Sequence, residues 1–221
     1  MAAEVKVFGH VGPAKSVDGA DVPIRIGSEG QQLTSRMHGV HYEAARRGNI
    51  FIASTTPLGL AVPIYTATAP TVMLWNPSGS GKYGILIRYL IAYASATGIT
   101  GPIGLSKIVN TGSSIATANV ISAFAETTPT NGIINSGIKN QVRVSTAGTN
   151  TITAGIAADF FYTMFGQSAL VSATAMNPYS TSHEFDGAVI IPPGVAIWTS
   201  ATLATVSLLS QTIIWEEVDV I

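Results

Sequence analysis

Three groupings of side chains in this sequence have types and spacings that could do chemistry. His38 and His41 stand three residues apart, on one face if the segment is helical, with Glu43 close behind. Two imidazoles and a carboxylate are zinc ligands by type. The spacing is not the His-Glu-x-x-His of a zinc peptidase, so the expectation is a packed or surface histidine pair and no metal site. A hydroxyl, an imidazole and two carboxylates crowd into Tyr179-Ser180-Thr181-Ser182-His183-Glu184-Phe185-Asp186. Neighbours in one loop seldom supply three members of a serine, histidine and aspartate arrangement, and no Gly-x-Ser-x-Gly elbow presents the serine. A solvated loop entering a strand at Phe185–Ile191 is expected instead. Asn76-Pro77-Ser78-Gly79-Ser80-Gly81-Lys82 has the composition of a phosphate loop. However, Asn76 stands where the first glycine belongs, Tyr83 follows the lysine in place of a hydroxyl, and a strand pattern comes next. A β-turn with an open tip fits better. The chain is expected to have no catalytic residues and no cofactor, and not to be an enzyme.

Arg88 raises a different question, because Ile85-Leu86-Ile87 precedes it and Tyr89-Leu90-Ile91 follows. Buried without a partner, its charge would be expensive. Two readings stand: it meets a carboxylate, across a subunit interface, or it reaches solvent from an exposed face. If Tyr83–Tyr93 is one regular strand, Tyr89, Ile91 and Tyr93 share a face and Arg88 points the other way. Arg88 and Tyr89, with Trp215 and Glu216 near the end of the chain, are the candidates for a subunit interface. The aromatic residues could line a sugar groove, but core and subunit packing account for them with fewer assumptions.

The elements that must position these residues are mostly strands. Residues 1–33 carry Gly9, Gly12, Pro13, Gly19, Pro23, Gly27 and Gly30 between short apolar pieces, which no helix survives. An extended arm is expected, with short strands at Val5–Phe8 and Val22–Ile26 where apolar residues alternate. Residues 34–50 hold the one helix candidate, one or two turns around Tyr42–Arg47, closed by Gly48. Arg46 and Arg47 fall at its C-terminal end, where positive charge is favoured. From Phe51 onward Thr, Val, Ile, Ala, Ser and Gly dominate. Strands are expected at Thr71–Asn76, Tyr83–Tyr93, Ile103–Val109, Asn119–Ala125, Ile138–Val144, Asp159–Phe165, Phe185–Ile191, Val195–Thr199 and Leu203–Val218. Asn76-Pro77-Ser78-Gly79 and Pro192-Pro193-Gly194 are turn signals between them. Such spacing argues a sandwich or barrel, and the helical stretches of a βαβ protein are missing. Leu203–Val218 keeps no single period of two, which suggests a bulge near Ser210-Gln211. Glu216 and Glu217 then mark an exposed edge or a contact with the arm.

Composition narrows the function. Of 221 residues 47% are hydrophobic, only 10% are charged, and none is cysteine. A typical soluble domain carries about 25% charged residues. The net charge of -1 excludes a strongly basic nucleic-acid binder. The absence of cysteine excludes disulfide staples, thiolate metal sites and a cysteine nucleophile. No apolar run approaches the roughly 20 residues of a membrane span, and no apolar signal-peptide core follows the first residues. Neither nucleic acid nor membrane is expected as a partner. The charge is uneven, with eleven charged residues in the first 50 positions and twelve in the remaining 171. A free monomer wants a surface about 25–35% charged. The body, residues 51–221, is therefore expected to hide surface against copies of itself or a larger assembly, behind an arm at residues 1–50.

Arg46-Arg47-Gly48-Asn49-Ile50-Phe51, Met73-Leu74-Trp75-Asn76-Pro77-Ser78-Gly79-Ser80-Gly81 leading into Ile85–Leu90, and Phe185–Gly194 with Ile214-Trp215-Glu216-Glu217-Val218 carry a resemblance. Together they resemble the jelly-roll structural proteins of tailed bacteriophages, most of all head decoration (cement) proteins. The resemblance covers the body, roughly residues 50–221. It implies an all-β, jelly-roll-like β-sandwich with an extended N-terminal arm and one short helix. It further implies a homotrimer on the outer surface of the virion capsid, gripping the major capsid protein. Arg25, Arg36, Arg46 and Arg47 are the candidates for the capsid contact. No catalytic residue carries over. A tail or fibre-head protein that binds a host glycan, through a loop such as Thr146–Ile156 or Tyr179–Glu184, is the rival expectation.

Overall fold

Glycine and proline end the strands where the sequence places them. Asn76-Pro77-Ser78-Gly79 turns the chain between two strands, with Gly79 at φ 84°, and Pro192-Pro193-Gly194 does the same, with Gly194 at φ 83°. The computed structural model describes residues 39–95, 101–109, 121–148, 150–153, 159–167, 180–203 and 207–220. The expected arm at 1–33, with Arg25, lies outside the described residues, as do Arg36, His38 and Tyr179. The chain divides into two compact units, Met1–Tyr42 and Glu43–Ile221.

In chain order the elements are α1 (Tyr42–Arg46), β1 (Ile50–Ser54), β2 (Leu60–Ala61), β3 (Met73–Asn76), β4 (Lys82–Ser95) and β5 (Gly101–Val109). There follow β6 (Ile121–Ala123), β7 (Thr130–Asn131), β8 (Arg143–Ser145) and β9 (Thr151–Ile152). The last four are β10 (Asp159–Gln167), β11 (Ser180–Ile191), β12 (Val195–Ala201) and β13 (Leu208–Asp219). One sheet runs β11-β4-β13-β1-β7, with β2 also on β13, and the other runs β10-β5-β12-β3-β8.

Eight of these strands form nested antiparallel pairs: β1 with β13, β3 with β12, β4 with β11 and β5 with β10. The chain is thus a double ribbon wound into two facing sheets, which is the jelly-roll sandwich. Its core draws on both sheets, with Phe51, Leu86, Ile213 and Trp215 from one and Leu74, Leu105 and Ile197 from the other. Phe51 and Trp215 stack at 5.8 Å.

The segment between β5 and β10 does three jobs. Its β6–β9 ribbon covers the outer face of the second sheet, where Ile121, Ile152 and Phe124 pack on Met73, Trp75, Ile108 and Trp198. That is why β3 and most of β12 are buried on both faces. In addition, β7 and β8 extend the two sheets beyond β1 and β3, so that both of those edges are paired.

The expected bulge at Ser210-Gln211 is not in β13. Burial alternates without a break from Leu208 to Val218. Gln211 disguised the pattern, since it is a polar residue on the core face, where Tyr89 Oη donates to its Oε1 at 2.7 Å. The irregularities lie in β4: Ile214 pairs with Arg88 but Trp215 pairs with Leu86, so Ile87 is the extra residue. Ile87 re-phases its strand, turning Gly84 and Leu86 inward before it and Tyr89 and Ile91 inward after it. Opposite this point β11 bulges too, with Asp186 at φ 44° and Gly187 at φ 88°. Gly104 on β5 is needed for a different reason, because a Cβ there would run into the Tyr162 carbonyl oxygen of β10.

Two further expectations need correction. Ile138–Val144 is not a strand: only Arg143–Ser145 pairs, because the N–H groups of Gln141 and Val142 are taken by the Glu217 carboxylate instead of a neighbouring strand. The expected loop at Tyr179–Glu184 is strand from Ser180 onward, in register with β4.

Candidate functional site

With the core face of the first sheet fixed by Phe51, Ala53, Tyr89, Ile91, Ile213 and Trp215, period-two alternation puts the intervening residues on the opposite face. There they form four cross-strand rows. Ser210, Ala92 and Ser180 make the first; Ser54, Thr212, Leu90 and Ser182 the second. Ile52, Ile214, Arg88 and Glu184 make the third, and Ile50, Glu216, Ile85 and Ile190 the fourth. Ser54 and Thr212 hydrogen-bond across their row at 2.8 Å. Small side chains at Ala92, Ser180, Ser182 and Ser210 leave a groove of about 400 Å³, bordered by Leu90 and Thr212.

Only three of these fifteen residues carry charge, and two of them neutralise each other. Arg88 Nε lies 2.6 Å from Glu184 Oε1, with the side chains 46% and 44% exposed. The carboxylate foreseen for Arg88 is therefore its cross-strand neighbour in the same chain. Nothing in the sequence marks Glu184 as that partner, since the pairing depends on the strand register. Glu216 sits partly covered among isoleucines of the fourth row. The face is rich in hydroxyls and aliphatic groups and nearly without net charge.

The other interface candidates fall elsewhere. Tyr89 and Trp215, expected at a subunit contact, are 1% and 0% exposed within their own chain, so both are core residues. Burial pushes the Tyr89 phenol far above its usual range, and the side chain hydrogen-bonds Thr199 Oγ1 as well as Gln211. Arg46 and Arg47 are exposed around the end of α1, where Arg46 reaches Glu43 at 3.7 Å.

Glu217 is also misplaced by the sequence reading. It faces inward at 3% exposure, on a central strand rather than an edge. Gln141 N donates to its Oε2 at 2.9 Å, and Val142 N and Trp215 Nε1 donate to Oε1 at 3.0 and 3.3 Å. Burial raises its pKa, and those three donors and Lys82 oppose the rise. The carboxylate thus pins the segment ahead of β8 onto β13.

The hydrolytic grouping does not converge. His183 faces the interior against Tyr162, where burial lowers its pKa, while Ser182 and Glu184 stand on the outer face. Residues 76–82 form the β3–β4 turn with no helix after it, and Lys82 pairs with Asp219 at 2.7 Å. Among the described residues no three His, Asp or Glu side chains gather as a metal site. No family model matches the chain, and neither a curated protein nor a solved structure matches it.

Proposed function

We propose that this chain is a non-enzymatic structural protein of a phage virion, which binds the outside of the capsid as an oligomer and stabilises the shell. The observation that carries the reading is the outer face of the first sheet, whose four rows, the buried Ile50 apart, present aliphatic and hydroxyl groups with one uncompensated charge. A nearly uncharged face on a rigid sheet suits contact with another protein better than contact with water. It also explains a body so poor in charge.

The four rows span about 24 Å along the strands and about 19 Å across them. That is about half of the roughly 800 Å² that one partner contributes to a standard interface. The subunit contact therefore continues past the sheet face into its flanking loops. The charge-rich first 50 residues make the contact with the major capsid protein, through Arg25, Arg36, Arg46 and Arg47, and three subunits stand together at a three-fold position.

Two variants test the two halves of this reading. Light scattering on the purified chain should give three times the 22.9 kDa chain mass, and Thr212→Arg should reduce it to one. Deleting residues 1–33, which removes Arg25, and changing Arg36, Arg46 and Arg47 to alanine in the same chain should abolish co-sedimentation with capsids and leave the oligomer intact. A monomeric parent chain, or full decoration by the truncated protein, would overturn the corresponding half.

A further inference from the structure

We infer that the cleft between the β3–β4 turn and the segment leading into β8 is a binding site for a single neutral saccharide unit. This does not rest on the capsid reading. The cleft holds about 280 Å³ and is lined by Ser78, Ser80, Glu126, Asn140, Gln141 and Arg143 with Pro77 and Gly79. That is just below the usual range of small-ligand sites, room for one sugar ring and little more.

Its walls are built from buried anchors. On one side Asn76, fully buried, donates from Nδ2 to the carbonyl oxygens of Lys82 and Ile191 and accepts the Ser80 hydroxyl at 2.6 Å, which fixes the turn. On the other, Glu217 holds the N–H groups of Gln141 and Val142 from beneath. Asn140 Nδ2 donates to Val142 O at 2.7 Å. The guanidinium of Arg143 lies over the Trp75 ring, 5.4 Å from its centre, a cation–π contact that holds it at this wall.

The chemistry of the lining selects the ligand. No carboxylate of the described residues lies within ion-pair distance of Arg143, and Glu126 has no cationic partner among them. One guanidinium and one carboxylate thus face the same small space without neutralising each other. Adjacent hydroxyls of a sugar ring match that pair, because each can accept from Arg143 while donating to Glu126. The amides of Asn140 and Gln141 and the Ser78 hydroxyl add donors and acceptors of both kinds. A lining with no net charge and almost no apolar surface favours a neutral polyol over an anion or an apolar molecule.

The test is an amide NMR titration of the full chain with the methyl glycosides of glucose, galactose, mannose and N-acetylglucosamine, each taken to tens of millimolar. At least one should shift the amides of Ser78–Ser80 and Asn140–Arg143, with a millimolar dissociation constant. Glu126→Gln, at an exposed residue, and Arg143→Gln should each weaken that binding about tenfold. A dispersed spectrum of each variant controls for folding. Three results would overturn the inference: no shift with any glycoside, shifts confined to another surface, or binding unchanged in both variants. Glycylglycine, a zwitterion that could also span Arg143 and Glu126, is the competing probe, and its binding there in place of the sugars would overturn it too.

Discussion

Glu217 offers a quantitative check, because burial and hydrogen bonding pull its ionisation in opposite directions. Alanine at this position would leave two buried N–H donors, on Val142 and Trp215, and the half-buried one of Gln141 without an acceptor. Each orphaned donor costs about 1–3 kcal/mol. The loss is offset in part because a buried charge is removed as well, so Glu217→Ala should cost about 3–5 kcal/mol. Glu217→Gln keeps an oxygen for Val142 and Trp215 and turns an amino group toward the Gln141 N–H, a loss of about 1–3 kcal/mol.

The pH dependence separates this account from a plain packing defect. Burial raises the Glu217 pKa in the folded chain, so the group stabilises the fold fully below its unfolded pKa. That contribution is lost as pH rises through the higher folded value, at about 1.4 kcal/mol for each unit between the two. Glutamine does not titrate. The stability gap between parent and Glu217→Gln should therefore be widest near pH 4 and narrow toward pH 7. Urea unfolding followed by fluorescence measures it, since Trp75, Trp198 and Trp215 are all buried. A gap that widens with pH would refute the reasoning, because the three donors would then outweigh burial.

Four other substitutions probe the two sheets and the outer face of the first. Gly104→Ala drives a methyl into the Tyr162 carbonyl and should cost about 3 kcal/mol or more, read as a lower urea midpoint; an unchanged midpoint would mean that β5 and β10 are not so close. Tyr89→Phe removes the hydroxyl that joins Thr199 and Gln211 and should cost about 1–2 kcal/mol by the same assay, whereas a gain in stability would contradict that network. A double-mutant cycle on Arg88→Ala and Glu184→Ala should give a coupling below about 1 kcal/mol that shrinks with salt, as their half-exposure requires. A coupling of several kcal/mol in the free chain would place the pair in a buried contact.

The parts of the fold that announce themselves locally were legible in the sequence. Asn76–Gly79 and Pro192–Gly194 mark turns by their own chemistry, and the helix at Tyr42–Arg46 lies within the stretch that Gly48 closes. Strand β1 carries no such signal, since its five residues directly after a helix show too little alternation to mark a strand. The bulge at Ile87 is set by the partner strands, and no feature of Ile85–Ile91 encodes it. Glu216 and Glu217 look alike in sequence, yet alternation sends one outward and the other into the core. Large aromatic residues such as Tyr89 and Trp215 suit a core and an interface equally well, and only the fold shows that these two are buried in their own chain. The outer face of the first sheet is not legible in the sequence either, since its serines, threonines and isoleucines come from four strands that only the register brings together.

Electron cryomicroscopy of a phage particle assembled with this chain tests the central proposal most directly. The account predicts jelly-roll density on the outer surface of the capsid, clustered around three-fold positions, with the face of Ser54, Leu90, Thr212 and Ser182 against neighbouring subunits. Density for this chain on the tail alone, or that face turned to open solvent in the assembled particle, would contradict it.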